Sequence, residues 1–161
     1  MHRIPLRRVA LAAALAMLAG VAGAAEDLPL PRFVSLRSNE VNLRTGPGTN
    51  YPVDWVMVRK GMPVEVLAEF DIWRKIRDWQ GTVGWVHQSM LAGARTALVT
   101  GATRTLLSEP ERGRPVARIE AGVIGKLLEC VQDWCRLEVQ GHRGWLKRGE
   151  FFGVYPNETV K

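Results

Sequence analysis

Chemistry in this 161-residue chain would have to come from two cysteines, from scattered carboxylates, or from a stretch in which tryptophan alternates with basic residues. Cys130 and Cys135 flank Val131-Gln132-Asp133-Trp134. Thioredoxin-like redox centres use Cys-x-x-Cys, and a zinc site needs four ligands where only His87 and His142 lie beyond the N-terminal segment. A hairpin with a four-residue loop sets two such cysteines directly opposite one another. Facing Cβ atoms about 4.5 to 5.5 Å apart need only slight closure to form a disulfide, so a structural disulfide is expected.

No catalytic constellation accompanies the cysteines. Besides Glu26 and Asp27 the chain has 14 Asp and Glu, none in a paired-acid motif. No Ser-His-Asp or Cys-His arrangement has a recognisable setting. Gly46-x-Gly48 lacks the Gly-Lys-Ser/Thr of a phosphate loop and opens no helix. Neither a catalytic residue, a metal ligand nor a cofactor is expected.

The elements that must position these residues occur twice. Gly61 matches Gly122 and Trp73 matches Trp134 at an offset of 61, and Gly81, Gly84 and Trp85 match Gly141, Gly144 and Trp145 at 60. Upstream, Pro52-Val53 matches Pro115-Val116 at 63. Turn-formers and tryptophans repeat, which marks a duplicated scaffold. Val64 to Glu69, Trp73 to Arg77 and Thr82 to Val86 are rich in β-branched and apolar residues and are separated by Asp- and Gly-containing turns, the pattern of short strands. Each half has about 60 residues, a size at which a lone core is marginal and two copies gain by packing together.

Strand alternation assigns faces. Leu67, Glu69, Arg74 and Ile76 share one side, as do Leu128, Cys130, Cys135 and Leu137, and the apolar content marks that side as inward. Glu69 and Arg74 then stand as an ion pair where the second copy has its cysteines. Trp73 falls outward with Lys75 and Arg77, and Trp134 with Arg136 and Glu138. An outward Trp73 would stack on an extended ligand while Lys75 and Arg77 meet carboxylates; the competing expectation is that it caps the open end of the core. Trp85 and Trp145 are expected in core or inter-copy packing. Trp79 is expected exposed at a hairpin tip, with His87 and His142 solvated.

The N-terminus reads as an export signal. His2, Arg3, Arg7 and Arg8 form a positive head, Val9 to Val21 is an apolar run of 13 residues, and Ala22-Gly23-Ala24 supplies a small-x-small cleavage pattern. The run is too short to span a bilayer, so no transmembrane segment is expected in the mature chain. The segment holds three of the 22 basic residues and none of the 16 acidic ones, which leaves +19 − 16 = +3. Lys and Arg are scattered among acids rather than gathered in a stripe, which argues against nucleic acid as a partner.

Several of these motifs together resemble the bacterial SH3-like family. They are Asn42-x-Arg44-x-Gly46-Pro47-Gly48, Tyr51-Pro52-Val53, Gly61-x-Pro63-Val64-x-Val66, Trp73-x-Lys75-Ile76 and Gly84-Trp85-Val86. The chain is similar to two-copy members of proteobacterial envelopes, whose second copy carries Cys-x4-Cys around a Trp. In the second copy here, Thr105-Leu106-Leu107-Ser108-Glu109-Pro110 replaces the Asn-x-Arg signature. The resemblance implies an all-β chain of two tandem small barrels and a non-catalytic role in binding cell-wall peptide or an envelope protein. The expected organisation is a signal at 1–24, a linker at 25–33, a first barrel at 34–94, a linker or strand at 95–102, a second barrel at 103–155 and a tail at 156–161. The ligand surface would combine the loop around Asn42, Arg44 and Tyr51 with Trp73, Lys75 and Arg77 in a periplasmic or secreted protein. An adaptor or stabilising subunit of an envelope complex is the alternative role, and an accessory to a cell-wall enzyme a minor one.

Overall fold

The computed structural model describes residues 28–161, so the expected export signal at 1–24 lies outside the described residues. Among these, regular structure is strand apart from two single-turn 3-10 segments, and no helix is long and apolar enough to cross a membrane. The first unit comprises β1 (Arg32–Leu36), β2 (Val41–Arg44), β3 (Val53–Met57), β4 (Pro63–Phe70), β5 (Trp73–Arg77), β6 (Val83–His87) and β7 (Leu91–Ala92). The second comprises β8 (Thr96–Val99), β9 (Arg104–Leu107), β10 (Pro115–Ile119), β11 (Ile124–Val131), β12 (Trp134–Val139), β13 (His142–Lys147) and β14 (Phe151–Phe152).

Each unit is one seven-stranded antiparallel sheet, ordered β3-β2-β6-β5-β4-β1-β7 and β10-β9-β13-β12-β11-β8-β14. Every strand of the second sheet is its counterpart in the first shifted by seven places, so the duplication seen in the residues is a duplication of topology. The stretch expected as linker or strand, 95–102, contains β8, which pairs with β11 through Leu98 and Ile124 and so belongs to the second sheet. Arg32 and Phe33, expected in the leading linker, likewise sit in β1.

The repeated glycines serve two needs. Gly61 and Gly122 have φ of 81° and 85° in the turns entering β4 and β11, a region closed to most side chains. Gly84 and Gly144 sit where β2 and β9 cross over them: a Cβ would come 2.5 Å from Leu43 Cγ and 2.8 Å from Leu106 Cβ. That contact lets each sheet fold over its own core, with Leu43 and Leu106 fully buried.

Two corrections to the expected pattern follow from the register. The β4–β5 ladder shifts between Val66 and Ala68 and the β11–β12 ladder between Leu127 and Glu129. Leu67 and Leu128 are therefore bulge residues, and the extra residue inverts the side-chain parity ahead of it. Val66 and Leu127 take the inward places, while Leu67 and Leu128 are half-buried. Beyond the bulge the expected pairs hold: Glu69 faces Arg74, with Arg74 Nε 3.0 Å from Glu69 Oε1. Cys130 faces Cys135 and the two are disulfide-bonded, with Cα atoms 4.1 Å apart. The upstream repeat is also off by one, because Arg44 pairs with Val53 whereas Leu107 pairs with Pro115. Val53, not Pro52, is thus the counterpart of Pro115.

The two cores meet across one interface. Ile124 of the second unit packs against the first core, Thr96 Oγ1 donates to Gly61 O at 2.7 Å, and Phe33 stands edge-on to Phe152 at 5.1 Å and against Tyr155 at 4.7 Å. Tyr155 Oη donates to the buried Glu65 Oε1 at 2.8 Å, and Arg77 closes on the other oxygen of that carboxylate at 3.0 Å and 2.5 Å. Burial above all, then the hydrogen bond to Glu65 and its charge, raise the Tyr155 phenol well above its ordinary value. A raised phenol contributes stability below its unfolded value of 10.0 and loses it as pH rises beyond that. Tyr155→Phe is expected to cost about 1 to 2 kcal/mol at neutral pH and to weaken the alkaline loss of stability, both readable from urea unfolding at several pH values. Reduction of Cys130–Cys135 is expected to cost about 2 kcal/mol from the small loop it closes. Far-ultraviolet dichroism should retain the first sheet's signal under those conditions.

Candidate functional site

The outer face of the first sheet carries the candidate site. Asn42 and Arg44 alternate outward between buried Val41 and Leu43 on β2. The register places Trp73 beside His87, and Lys75 beside Trp85, which in turn faces Arg44. Trp73 is on the side that alternation assigns but is not exposed: only 8% of its surface reaches solvent. The His87 imidazole stands edge-on to its ring at a centroid distance of 5.6 Å, and the sheet curls so that its neighbours cover it. Trp85 corrects the expectation of core packing, since it lies half-buried on this outer row.

A cavity of about 340 Å³ opens over Trp73, lined by Glu40, Asn42, Arg44, Thr49, Trp73, His87 and Met90. Its wall is set by Arg44, whose Nη1 donates to Tyr51 O at 2.7 Å and to Thr49 O at 3.3 Å. Those two bonds fix the Gly46-Pro47-Gly48 loop against the sheet and leave Nε and Nη2 of the guanidinium without a partner among the described residues. The Tyr51 ring lies over Gly46 and outside the cavity. His87 Nδ1 is 2.6 Å from Ser89 Oγ and accepts from Ser89 N at 3.1 Å, which orients its ring. The cavity thus offers one carboxylate, one part-free guanidinium, an amide and an imidazole above an apolar floor of Trp73 and Met90.

Of the six residues expected at a ligand surface, the fold brings Asn42, Arg44 and Trp73 together. Tyr51 contributes its carbonyl as a brace. Lys75 is half-buried alongside Trp85, outside the cavity. Arg77 is exposed but bonded to Glu65 in the inter-unit network, outside the cavity; the register shift in the β4–β5 ladder brings that carboxylate opposite it. Glu40, Thr49, His87 and Met90 were not foreseen. His87 is legible in retrospect from the hairpin register, which sets it across from Trp73, and Glu40 from its alternation with Asn42 and Arg44, whereas Met90 arrives by tertiary folding.

The second unit has a cavity at the matching place with other chemistry. Trp134 pairs with Lys147, as Trp73 does with His87, and Lys147 Nζ lies 5.6 Å from the centroid of the Trp134 ring. Glu111, Asp133, Arg148, Gly149 and Glu150 complete the lining. Arg148 is consumed by the carbonyls of Gln132, Tyr155 and Glu158. The counterparts of Asn42 and Arg44 are Thr105 and Leu107, so the second unit has no guanidinium at that place.

The bacterial SH3 domain family matches residues 37–93 and again residues 101–153. The chain belongs to the bacterial SH3 domain family. Both of its SH3 copies are covered, including the one that lacks the Asn-x-Arg signature. No curated protein matches the chain. Among solved structures, it is similar to NlpC2 and NlpC1 from Trichomonas vaginalis, at 14% and 16% identity, over 82% and 86% of this chain, with TM-scores of 0.37 for each. An NlpC/P60 family protein from Bacillus cereus is 14% identical over 80% of this chain, with a TM-score of 0.34. The chain spans 51%, 51% and 58% of those proteins, little more than half their length.

Because Trp73 is buried as well as cavity-lining, truncating it removes core packing. Trp73→Ala is expected to cost about 3 to 5 kcal/mol of stability, against well under 1 kcal/mol for Asn42→Ala on the exposed outer face. Thermal and urea denaturation of the two variants test this ordering.

Proposed function

We propose that the first SH3 copy is a non-catalytic binding module for the peptide portion of the bacterial cell wall, carried by an exported protein. The observation that carries this reading is the pairing, over one aromatic floor, of Glu40 with an Arg44 that keeps part of its fork free. A carboxylate and a guanidinium across an apolar surface suit a short peptide bearing both free amino and carboxylate groups, as peptidoglycan stems do. Arg44 would take a carboxylate through its remaining N–H donors, Glu40 an amine, and Trp73 with Met90 the aliphatic side chains. Family membership supports a binding role, the N-terminal charge and hydropathy pattern supports export, and a buried disulfide suits an oxidising compartment. The second copy, with Leu107 in place of Arg44, serves as a structural partner that completes the inter-unit interface.

Co-sedimentation with purified sacculi, with and without soluble stem peptide as competitor, tests the reading. Glu40→Gln and Asn42→Ala are expected to weaken binding about tenfold, on the order of 1.4 kcal/mol, while the melting temperature stays within a degree or two of wild type. Sacculus binding unchanged by both variants, or not competed by stem peptide, would refute the assignment.

A further inference from the structure

The first sheet ends in a strand that nothing covers among the described residues, and three of its four exposed residues are large and apolar. In β3, Val53, Asp54, Trp55 and Val56 are all exposed and only Met57 is buried. Trp55 is 60% exposed and the following Val58 73%. Trp79, at the β5–β6 turn, lies across a groove of about 300 Å³ from Trp55, floored by Leu43, Met57 and Met62. Apolar edge strands of this kind pair with other strands unless something blocks them.

The second copy shows that the fold does not require this surface. By register, Val53, Trp55 and Val56 correspond to Pro115, Ala117 and Arg118. A proline and an arginine are the residues that blunt an edge strand. The β12–β13 turn is also shorter, running directly from Val139 to His142, so Trp79 has no counterpart. The same topology is thus built once with a blocked edge and once with an open one.

We infer that the open β3 edge is the contact through which two copies of this chain pair. Antiparallel neighbours place directly opposed residues on the same face, so a two-fold axis between two copies of one strand, perpendicular to the sheet, sets residues of like parity against each other. With the axis beside Met57, and the chain continuing extended for two residues beyond β3, Val56 meets Val58 of the other copy and Trp55 meets its Arg59, and each contact occurs twice. The first is an apolar cross-strand pair and the second a cation–π pair. Arg59 lines the same groove as Trp55 and has no ion-pair partner among the described residues. An edge that satisfies itself in this way makes a closed two-fold dimer. Growth beyond two copies is stopped because the second sheet's edge is blocked by Pro115 and Arg118, and the first sheet's other edge, β7, is only two residues long.

Sedimentation velocity across micromolar to millimolar protein is expected to show a reversible monomer–dimer equilibrium. Trp55→Ala and Val56→Arg install the residues of the second copy, whose sheet shows that the fold accepts them. Each is expected to raise the dimer dissociation constant about tenfold or more, with an unchanged circular dichroism spectrum and unchanged sacculus binding. Register is tested with Val56→Cys and Val58→Cys: an equimolar mixture should oxidise to a cross-linked heterodimer much faster than either variant alone. A protein that remains monomeric throughout, a dimer indifferent to both edge variants, or single-cysteine variants that cross-link as fast as the mixture would each overturn the inference. So would a β3 edge that binds an extended segment of another protein while the chain itself stays monomeric.

Discussion

Each copy must enclose only ten or eleven buried side chains within one sheet, and that is possible only if the sheet folds back over them. The approach of β2 onto β6, and of β9 onto β13, is the contact that makes each sheet curl over its core. It depends on Gly84 and Gly144, where any Cβ would strike Leu43 or Leu106 and press on the carbonyl oxygen of Arg44 or Leu107 at about 3 Å. The bulges at Leu67 and Leu128 supply the accompanying bend, since an extra residue on one strand raises local twist. Once β2 lies across β6, its outward residues are carried over the β5 and β6 row, and a surface of Asn42, Arg44, Trp73 and His87 exists. The candidate site is thus a consequence of how tightly the sheet is forced to curl.

Small cores of this size leave little margin, and the molecule compensates at the seam between copies. Phe33, Phe152, Tyr155 and Ile124 extend apolar contact from one core to the next, and the buried Glu65 carboxylate is held from both sides, by Arg77 of its own sheet and Tyr155 of the other. A buried carboxylate without partners would be costly, so this network makes the two units depend on a shared polar contact. On the far side, burial alone would raise the Glu158 carboxyl. Hydrogen bonds from Arg95 and from Tyr155 N, with the charges of Arg95 and Arg148, outweigh that and hold it below its ordinary range. The tail is thereby tied to the strand that opens the second unit.

Duplication has kept the frame and released the surface. Trp73 and Trp134 hold equivalent places, yet one meets an imidazole and the other an ammonium; Arg44 has become Leu107 and Trp55 has become Ala117. The central inward positions stayed aliphatic, Leu43 as Leu106, Val66 as Leu127, Ile76 as Leu137 and Val86 as Leu146, because both sheets must fill a similar small volume. Positions on the outer face and free edge are under no such demand, and there the copies have diverged: one has a cavity with a part-free guanidinium and an apolar edge, the other a cavity whose tryptophan meets an ammonium and an edge guarded by Pro115 and Arg118.

Period-two alternation, repeated glycines and the Cys-x4-Cys hairpin determined the strand content, the duplication and the disulfide from the sequence alone, because each rests on contacts between residues near in the chain. The Glu69–Arg74 pairing was legible for the same reason. Parity ahead of the bulges was not, since an inserted residue in one strand is visible only against its partner. Arg77 faces Glu65 through that same shift of register. Whether Trp73 would be covered, and that Met90 would arrive beside Arg44, were decided by the curl of the sheet. That curl brings together residues far apart in sequence, and no local pattern of residues encodes it.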